Sequence, residues 1–185
     1  MRIEAEKKLF TSDDISKMYE SGILGLDDRV ELIDGEIIVM NPGRKHTECT
    51  DRATTFLTRA LGSRAMVSIQ NPLLIDVHNE PKPDVVVFKP REDFYASTDR
   101  TPEHVLLLVE ISDTTLTADR NVKLRHYASA RIPEFWVEDI KHDLLHVYRE
   151  PSGDAYKTYL MFQRGDSISP LAFPDVVLRV ADLLG

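Results

Sequence analysis

The sequence has only one cysteine, Cys49, and this excludes two kinds of site. An intramolecular disulfide needs a second cysteine, and so does a zinc site built on cysteine pairs. Long apolar runs are also missing: the most apolar one, residues 105–109, is too short to span a bilayer. The first residues lack the apolar centre of a signal peptide. We therefore expect a cytoplasmic protein with no contact to a membrane.

The sequence is also poor in positive charge. It carries 31 acidic against 23 basic side chains, a formal net charge of −8, so the chain as a whole repels nucleic acid at long range. This argues against a non-specific DNA-binding module. It leaves a nuclease open, because divalent metals and a local basic surface reverse the field near a site.

The 185 residues do contain a regular alternation of amphipathic helices and apolar strands. The pattern predicts a short helix after Thr11, a hairpin at Asp34-Gly35, and helices over residues 47–61 and 118–130. It predicts strands over residues 65–70, 73–77, 84–88, 105–112, 135–137, 144–148, 156–162 and 176–180, with an acidic turn at 138–143. We therefore expect one α/β domain over residues 1–185, with a mixed central β-sheet flanked by helices.

Two acids have unusual positions in the predicted strands. Asp84 follows Pro83 at the start of a buried-type strand, where a carboxylate can reach a metal while the strand anchors it. Glu110 lies inside the most apolar strand, where a carboxylate is costly unless it is paired or metal-bound. Each also has a structural interpretation: Asp84 as an ordinary strand start, and Glu110 as the partner of an arginine.

A lysine on the second long helix completes the pattern. Asp119, Lys123 and Tyr127 follow one another at intervals of four residues and share a helix face. From there Lys123 can approach carboxylates on neighbouring strands, although a solvated pair with Asp119 is the simpler interpretation. Two acids suit a hard cation such as Mg²⁺, which polarises a phosphoryl oxygen and activates water, while a lysine orients the nucleophile.

Five stretches, taken in order, carry a family resemblance. They are residues 29–37 (RVELIDGEI), 82–87 (KPDVVV), 108–112 (LVEIS), 119–127 (DRNVKLRHY) and 133–139 (PEFWVED). The ordered set resembles the restriction-endonuclease-like Uma-two family, a former domain-of-unknown-function family of the PD-(D/E)XK nuclease superfamily. It implies a PD-(D/E)XK fold and metal-dependent phosphodiester cleavage.

The resemblance also implies roles for individual residues. The metal ligands would be Asp84, Glu110 and the backbone carbonyl of Ile111. Lys123 would replace the lysine that usually stands two positions after the second acid, where this chain has Ser112. The remaining acid of the pattern, Glu31, would hold a second metal or a water. Tyr127 and His46 carry over only weakly, and His46 has the alternative of an ordinary loop histidine.

Two departures from the family pattern stand out. Asp113-Thr114 follow Ser112 where the family usually has Pro-Ser, and Ala130-Arg131 stand where it usually has a glycine. Neither removes a proposed ligand.

The combined interpretation is a Mg²⁺-dependent endonuclease, with Mn²⁺ as a substitute, that takes DNA as its substrate. By analogy with nucleases that cut both strands, we expect a homodimer. The alternatives are a catalytically silent interaction module and a hydrolase of RNA or another phosphate ester.

Overall fold

A six-stranded mixed sheet forms the centre of the computed structural model, which describes residues 7–25, 27–112 and 118–184, with 118–120 described in their backbone only. The sheet order is β3-β4-β5-β6-β7-β8, and only the β5–β6 pair is parallel. The strands are β1 (Val30–Ile33), β2 (Glu36–Val39), β3 (Met66–Ile69), β4 (Val85–Phe88), β5 (Val105–Ser112), β6 (Glu134–Asp139), β7 (Leu144–Ser152), β8 (Ala155–Gln163), β9 (Ser167–Ile168) and β10 (Leu178–Arg179). The helices are α1 (Ser12–Glu20), α2 (Arg44–Leu61), α3 (Ala118–Ser129) and α4 (Val180–Leu183).

Each face of the sheet is covered by one long helix. On one face, Ala53, Leu57 and Leu61 of α2 pack with Val109 and Trp136 in a buried cluster that extends to α4. The opposite face packs against α3 in a second cluster that contains Tyr127, Val86, Leu108, Phe135 and Val137. Because β5 and β6 are parallel, the chain must cross over one face between them, and α3 is that crossover.

Local signals predict the first two elements correctly. The Thr11 side chain accepts a hydrogen bond from the backbone N–H of Asp14, and the Asp14 side chain accepts from the backbone of Thr11. This reciprocal capping box starts α1. Asp34 and Gly35 both have positive φ angles, 51° and 71°, as the tight turn between β1 and β2 requires.

One predicted strand is wrong. Residues 73–77 form no strand beyond an isolated bridge between Asp76 and Asn79. The Asp76 side chain accepts hydrogen bonds from the backbone of His78 and from the Asn79 amide, so the chain turns there. The backbone N–H of Ile75 donates to the Asn79 carbonyl within the same loop.

Several boundaries also differ from the prediction. Helix α2 begins at Arg44, three residues early, because Gly43 takes the extended N-cap conformation and the exposed first turn has no apolar periodicity. Strand β6 continues through Glu138 and Asp139, which pair with β5 and β7, so the acidic turn is shorter than expected. At the C-terminal end only Leu178–Arg179 pair as a strand, because Val180 starts α4.

The missing family glycine has a structural counterpart at Arg131. This residue has a φ of 60° directly after α3, the left-handed conformation for which glycine is preferred at helix ends. Its backbone N–H donates to the Ala128 carbonyl, and that of Ile132 donates to Tyr127, so the helix end is closed. The backbone turn is therefore kept although the side chain differs. The other departure, Asp113-Thr114, lies outside the described residues.

Two glutamates of β6 are fully buried but differ in their partners. The carboxylate of Glu134 accepts hydrogen bonds from Trp136 Nε1, Arg149 Nε and the Leu171 backbone, at 2.9, 2.7 and 2.6 Å. Both carboxyl oxygens of Glu138, in contrast, have no hydrogen-bond partner among the described residues. Burial, reinforced by the charge of Asp84, raises the pKa of Glu138 well above its ordinary value. Glu138 therefore holds its proton more tightly than an exposed glutamate does.

We expect Glu138→Gln to stabilise the protein at pH 8 and to raise its Tm, because folding opposes the loss of the Glu138 proton whereas the amide of glutamine carries no charge. A raised pKa in the folded state means that the glutamate's contribution is complete below its ordinary value near 4.5 and is lost as the pH rises. The difference between variant and native protein should therefore shrink towards pH 4.5.

Thermal unfolding from pH 4.5 to pH 8 measures this difference. Glu134→Gln is the matched control, since it removes a satisfied charge from the same strand and should destabilise at pH 8 as well as at pH 4.5. Equal stability of native protein and Glu138→Gln at every pH contradicts the prediction.

Candidate active site

Asp84 directly precedes β4, and contacts from three other parts of the chain hold its carboxylate. Its Oδ2 accepts a hydrogen bond from the Ile111 backbone N–H of β5 at 2.9 Å and lies 3.1 Å from His46 Nε2 of α2. Its Oδ1 accepts from Gln70 Nε2, at the end of β3, at 3.2 Å. Burial opposes its charge, but these donors outweigh burial and lower the pKa of Asp84 below its ordinary value. Asp84 is therefore an ionised, oriented carboxylate.

Lys123 of α3 joins two further carboxylates. Its Nζ lies 3.2 Å from Glu110 Oε1 on β5 and 3.0 Å from Glu31 Oε2 on β1. The Tyr127 hydroxyl, one helical turn further along, donates to the same Glu110 oxygen at 2.7 Å. The face of α3 that carries Lys123 and Tyr127 therefore closes over Glu110, as its spacing predicts. The side chain of Asp119 lies outside the described residues.

The electrostatics of this group are dominated by burial. Burial, strengthened by the charges of Asp84 and Glu31, raises the pKa of Glu110 to about 7 despite the neighbouring Lys123. Burial works against the charge of Lys123 too, but Glu110 and Glu31 outweigh it and raise the pKa of the ammonium group. The site thus carries an excess of negative charge around one permanent cation, and Glu110 responds by holding its proton more tightly.

These side chains line a cavity of about 630 Å³ between the β1–β2 hairpin, the start of α2 and α3. Among the described residues, its ionisable lining comprises five carboxylates, one lysine and one histidine: Glu31, Asp34, Glu36, Asp84, Glu110, Lys123 and His46. Apolar residues such as Ile38 and Val39 form the hairpin side of the wall. The hairpin also contacts α3 on this side of the cavity: His126 Nε2 of α3 lies 3.3 Å from Asp34 Oδ1.

The structure brings most of the residues singled out from the sequence into one place. Asp84, Glu110, Lys123, Glu31 and Ile111 all line the cavity. Tyr127 is fully buried behind Glu110 and does not line it, so it contacts the cavity only through the Glu110 carboxyl group. His46 lies at the wall, so the interpretation as an ordinary loop histidine is wrong: it belongs to the first turn of α2.

Gln70 is a site residue that sequence reasoning missed. It directly follows β3 and has a φ of 48°, a conformation that non-glycine residues rarely adopt. Its backbone N–H donates to the carbonyls of Pro83 and Asp84, and its side chain donates to the Asp84 carboxylate. The only local signal was its position before Asn71-Pro72 at a strand end, which marks a turn and does not reveal a partner fourteen residues away.

The donor set suits a divalent cation of the Mg²⁺ type. Among the described residues, no three His, Cys, Asp or Glu side chains are placed to hold a metal ion by themselves. A cation would therefore depend on the carboxylates of Asp84 and Glu110, the Ile111 carbonyl and water, which is a common arrangement for Mg²⁺. The excess of buried negative charge gives a cation a reason to bind there.

Replacing Lys123 by methionine should destabilise the protein by about 3 kcal/mol at pH 8, because it leaves buried carboxylates without their cation. The loss should be smaller at pH 5, since the pKa of Glu110 is already raised and its carboxyl group then takes up a proton. Urea denaturation at both pH values tests this. Lys141→Met, at an exposed lysine, is the control and should change little. An equal loss at both pH values would show that packing, not charge, sets the effect.

Comparison with other proteins places the chain in a family. A family model described as "Putative restriction endonuclease" matches residues 14–181. The crystal structure of a "putative nuclease belonging to DUF820" from Anabaena variabilis is similar over 95% of this chain and 97% of that chain, with a TM-score of 0.73 and 18% identity. No curated protein matches. The similarity to the Anabaena variabilis structure identifies the fold as restriction-endonuclease-like. No helix among the described residues is long and apolar enough to cross a membrane. The match over residues 14–181 shows that the chain belongs to the Uma2 family, the family that this description names.

Proposed function

We propose that the protein is a metal-dependent endonuclease that hydrolyses phosphodiester bonds of DNA. The observation that carries this proposal is the convergence of Asp84, Glu110 and Lys123 on one cavity in a chain of the Uma2 family. These three groups come from β4, β5 and α3, which are distant in sequence. Their meeting supports a shared chemical role over three separate structural ones.

Asp84 and Glu110 are the proposed ligands of a Mg²⁺ ion, with the backbone carbonyl of Ile111 as a third. When bound, the ion supplies a Lewis acid for a phosphoryl oxygen and lowers the pKa of a coordinated water. The chain's contribution is orientation. Three donors fix the Asp84 carboxylate, and the Tyr127 hydroxyl fixes that of Glu110. A ligand that is already oriented loses little entropy when the ion binds.

Lys123 is the proposed group that orients the attacking water and offsets the negative charge that develops on the phosphate. It lines the cavity beside Glu110, and Glu31 contacts the same ammonium from the hairpin. We therefore assign Glu31 the role of holding Lys123 in place, an alternative to the second metal ligand that the family resemblance implies. Both roles keep Glu31 at the site.

The charge of the cavity rim favours no phosphate substrate by itself. Asp34 and Glu36 make the hairpin side acidic, although Lys7 Nζ pairs with Glu36 Oε1 at 2.9 Å. On the other side, Arg44 and Lys45 are exposed in the first turn of α2, next to His46. Because the rim is not uniformly acidic, it leaves a DNA substrate open, but it does not by itself decide between DNA and a silent module. RNA and smaller phosphate esters are tested as separate substrates below.

We expect Mg²⁺- or Mn²⁺-dependent cleavage of plasmid DNA, and loss of at least about 10²-fold in rate for Asp84→Asn, Glu110→Gln and Lys123→Met. Glu36→Gln is the matched control, because it neutralises a carboxylate of the same cavity outside the proposed set. Single-stranded DNA, RNA and a small phosphodiester serve as parallel substrates, and calorimetry measures Mg²⁺ binding.

Each result has a distinct meaning. Cleavage that survives in all three site variants would assign the activity to another site or to a contaminant. Mg²⁺ binding with cleavage of only RNA or the small ester would replace DNA as the substrate. Neither binding nor cleavage would leave the interaction module as the function of this fold.

Gln70→Gly should weaken Mg²⁺ binding by about tenfold, because supporting hydrogen bonds typically contribute that much to metal affinity. The same change should leave stability unchanged or raise it by up to about 1 kcal/mol, since glycine relieves the left-handed backbone. Calorimetry measures the Mg²⁺ affinity and urea denaturation measures the stability. Weaker binding without a loss of stability indicates that Gln70 positions the Asp84 carboxylate, because a purely structural residue would lower both.

Arg131→Gly is the control for this variant. It gives the same backbone relief at a φ of 60° outside the cavity lining, and should leave Mg²⁺ affinity unchanged. Native-like affinity in Gln70→Gly, or an equal loss in Arg131→Gly, would remove Gln70 from the site.

A further inference from the structure

Part of the cavity wall is apolar and has no role in the proposed chemistry. Ile38 and Val39 of β2 and Val122 of α3 line the cavity, and they are exposed by 40%, 69% and 36%. A cation, its coordinated waters and a phosphate are polar, so none of them gains from contact with branched aliphatic side chains. These three residues, the apolar wall, are therefore suited to an uncharged part of the molecule that the cavity binds.

Charge determines which part of a nucleotide lies at which side of the cavity. The first turn of α2 borders the cavity: Gly43 and His46 line it, and Arg44 and Lys45 between them are exposed. Basic side chains and the N–H groups of a helix start both attract phosphate. The hairpin side instead contributes two carboxylates, whose charges are offset but not reversed by their partners. A phosphate is therefore favoured at α2, and a neutral group at the hairpin.

We propose that the cavity binds one unpaired nucleotide of DNA, with its phosphate between α2 and the charged residues Asp84, Glu110 and Lys123, and its base against the apolar wall. This inference rests on the proposed function, which supplies DNA as the substrate. It adds the class of DNA, namely DNA with an unpaired nucleotide beside the cleaved bond.

An intact duplex does not bring the face of a base to the apolar wall. Its bases are paired and stacked, so its grooves present base edges, sugars and phosphates. An unpaired base leaves the stack at the lowest cost and then has free faces. Every base has such a face, so contact with it carries little sequence preference. We therefore expect selection for unpaired nucleotides and not for a base sequence.

The size of the cavity agrees with a single nucleotide. Its volume of about 630 Å³ lies within the range of clefts that hold one small molecule, roughly 300–1,000 Å³. The hairpin, the start of α2 and α3 contribute to its lining, so one nucleotide contacts all three elements at once. The rest of the DNA then lies outside the cavity.

Two duplexes that differ by one unpaired nucleotide test the proposal. We expect the protein to bind a labelled duplex with a single-nucleotide bulge at least about tenfold more tightly than the fully paired duplex of the same sequence. Fluorescence anisotropy measures both Kd values with Ca²⁺ in place of Mg²⁺, because Ca²⁺ also takes oxygen ligands and binding is then measured apart from Mg²⁺-dependent cleavage. With Mg²⁺, cleavage should map to the phosphate beside the bulge.

Removing the base separates contact with the apolar wall from the flexibility that a bulge gives to DNA. An abasic bulge keeps the sugar and the phosphate, and should raise the Kd of the native protein by about tenfold. Val39→Thr/Val122→Thr replaces two methyl groups of the wall by hydroxyls, so removal of the base should then raise the Kd only about threefold. Val77→Thr/Val177→Thr is the matched control, at valines exposed by 60% and 69% outside the cavity lining, and should keep the tenfold effect.

Equal Kd values for the bulged and paired duplexes would overturn the proposal, and this is the result that contact with the sugars of an intact duplex predicts. A base effect that the wall variant leaves at its native size, or that the control lowers equally, would overturn it too. Cleavage of both duplexes at equal rates with equal Kd values rejects the unpaired nucleotide alone. The expected Kd differences without any cleavage would instead reject the nuclease activity and keep the nucleotide contact.

Discussion

The burial of several carboxylates around one ammonium group is the constraint on which the site depends. Glu31, Glu110 and Asp84 come from the hairpin, β5 and the mouth of β4, and only Lys123 is permanently positive among them. Each carboxylate would be costly on its own at this depth. The helix that supplies the lysine is also the crossover between the parallel strands β5 and β6, so the charge balance and the topology are coupled. If α3 moved away from the sheet, Glu110 would lose Lys123 and Tyr127 together.

This coupling explains why strain is tolerated next to the site. Gln70 keeps a left-handed backbone that glycine would adopt more easily, and in exchange its amide holds the Asp84 carboxylate. Arg131 keeps a similar conformation where the family usually has glycine, and it closes the end of α3 just beyond Tyr127. The two residues differ in their contribution to the site: Gln70 contacts a proposed ligand, whereas Arg131 only ends the helix that carries two site residues.

Short-range patterns were sufficient for much of the fold and for the centre of the site. The capping box at Thr11, the Asp-Gly turn and the apolar run around Glu110 are local, and each led to the right element. The spacing of Lys123 and Tyr127 correctly placed them on one face, because helix periodicity is fixed. What the sequence left undetermined depended on tertiary neighbours. Two partners of Asp84 are Gln70, directly after β3, and His46 of α2, and no local pattern indicates that either of them meets it. Residues 73–77 have strand-like composition, but the Asp76 carboxylate accepts hydrogen bonds from the residues that follow it, and the chain turns there.

Strand β6 shows that the chain uses two different solutions for a buried acid. Glu134 is surrounded by three donors, one of them the guanidinium of Arg149, and its position secures the C-terminal segment through the Leu171 backbone. Glu138 pairs in register with Ile111, the residue whose N–H holds Asp84, yet it has no donor of its own in the described structure. Adding a cation near Glu138 would stabilise its charge, but it would also lower the excess of negative charge at Asp84. Because its raised pKa favours the protonated form, Glu138 competes less than an ionised carboxylate would for the cation that the proposed chemistry requires.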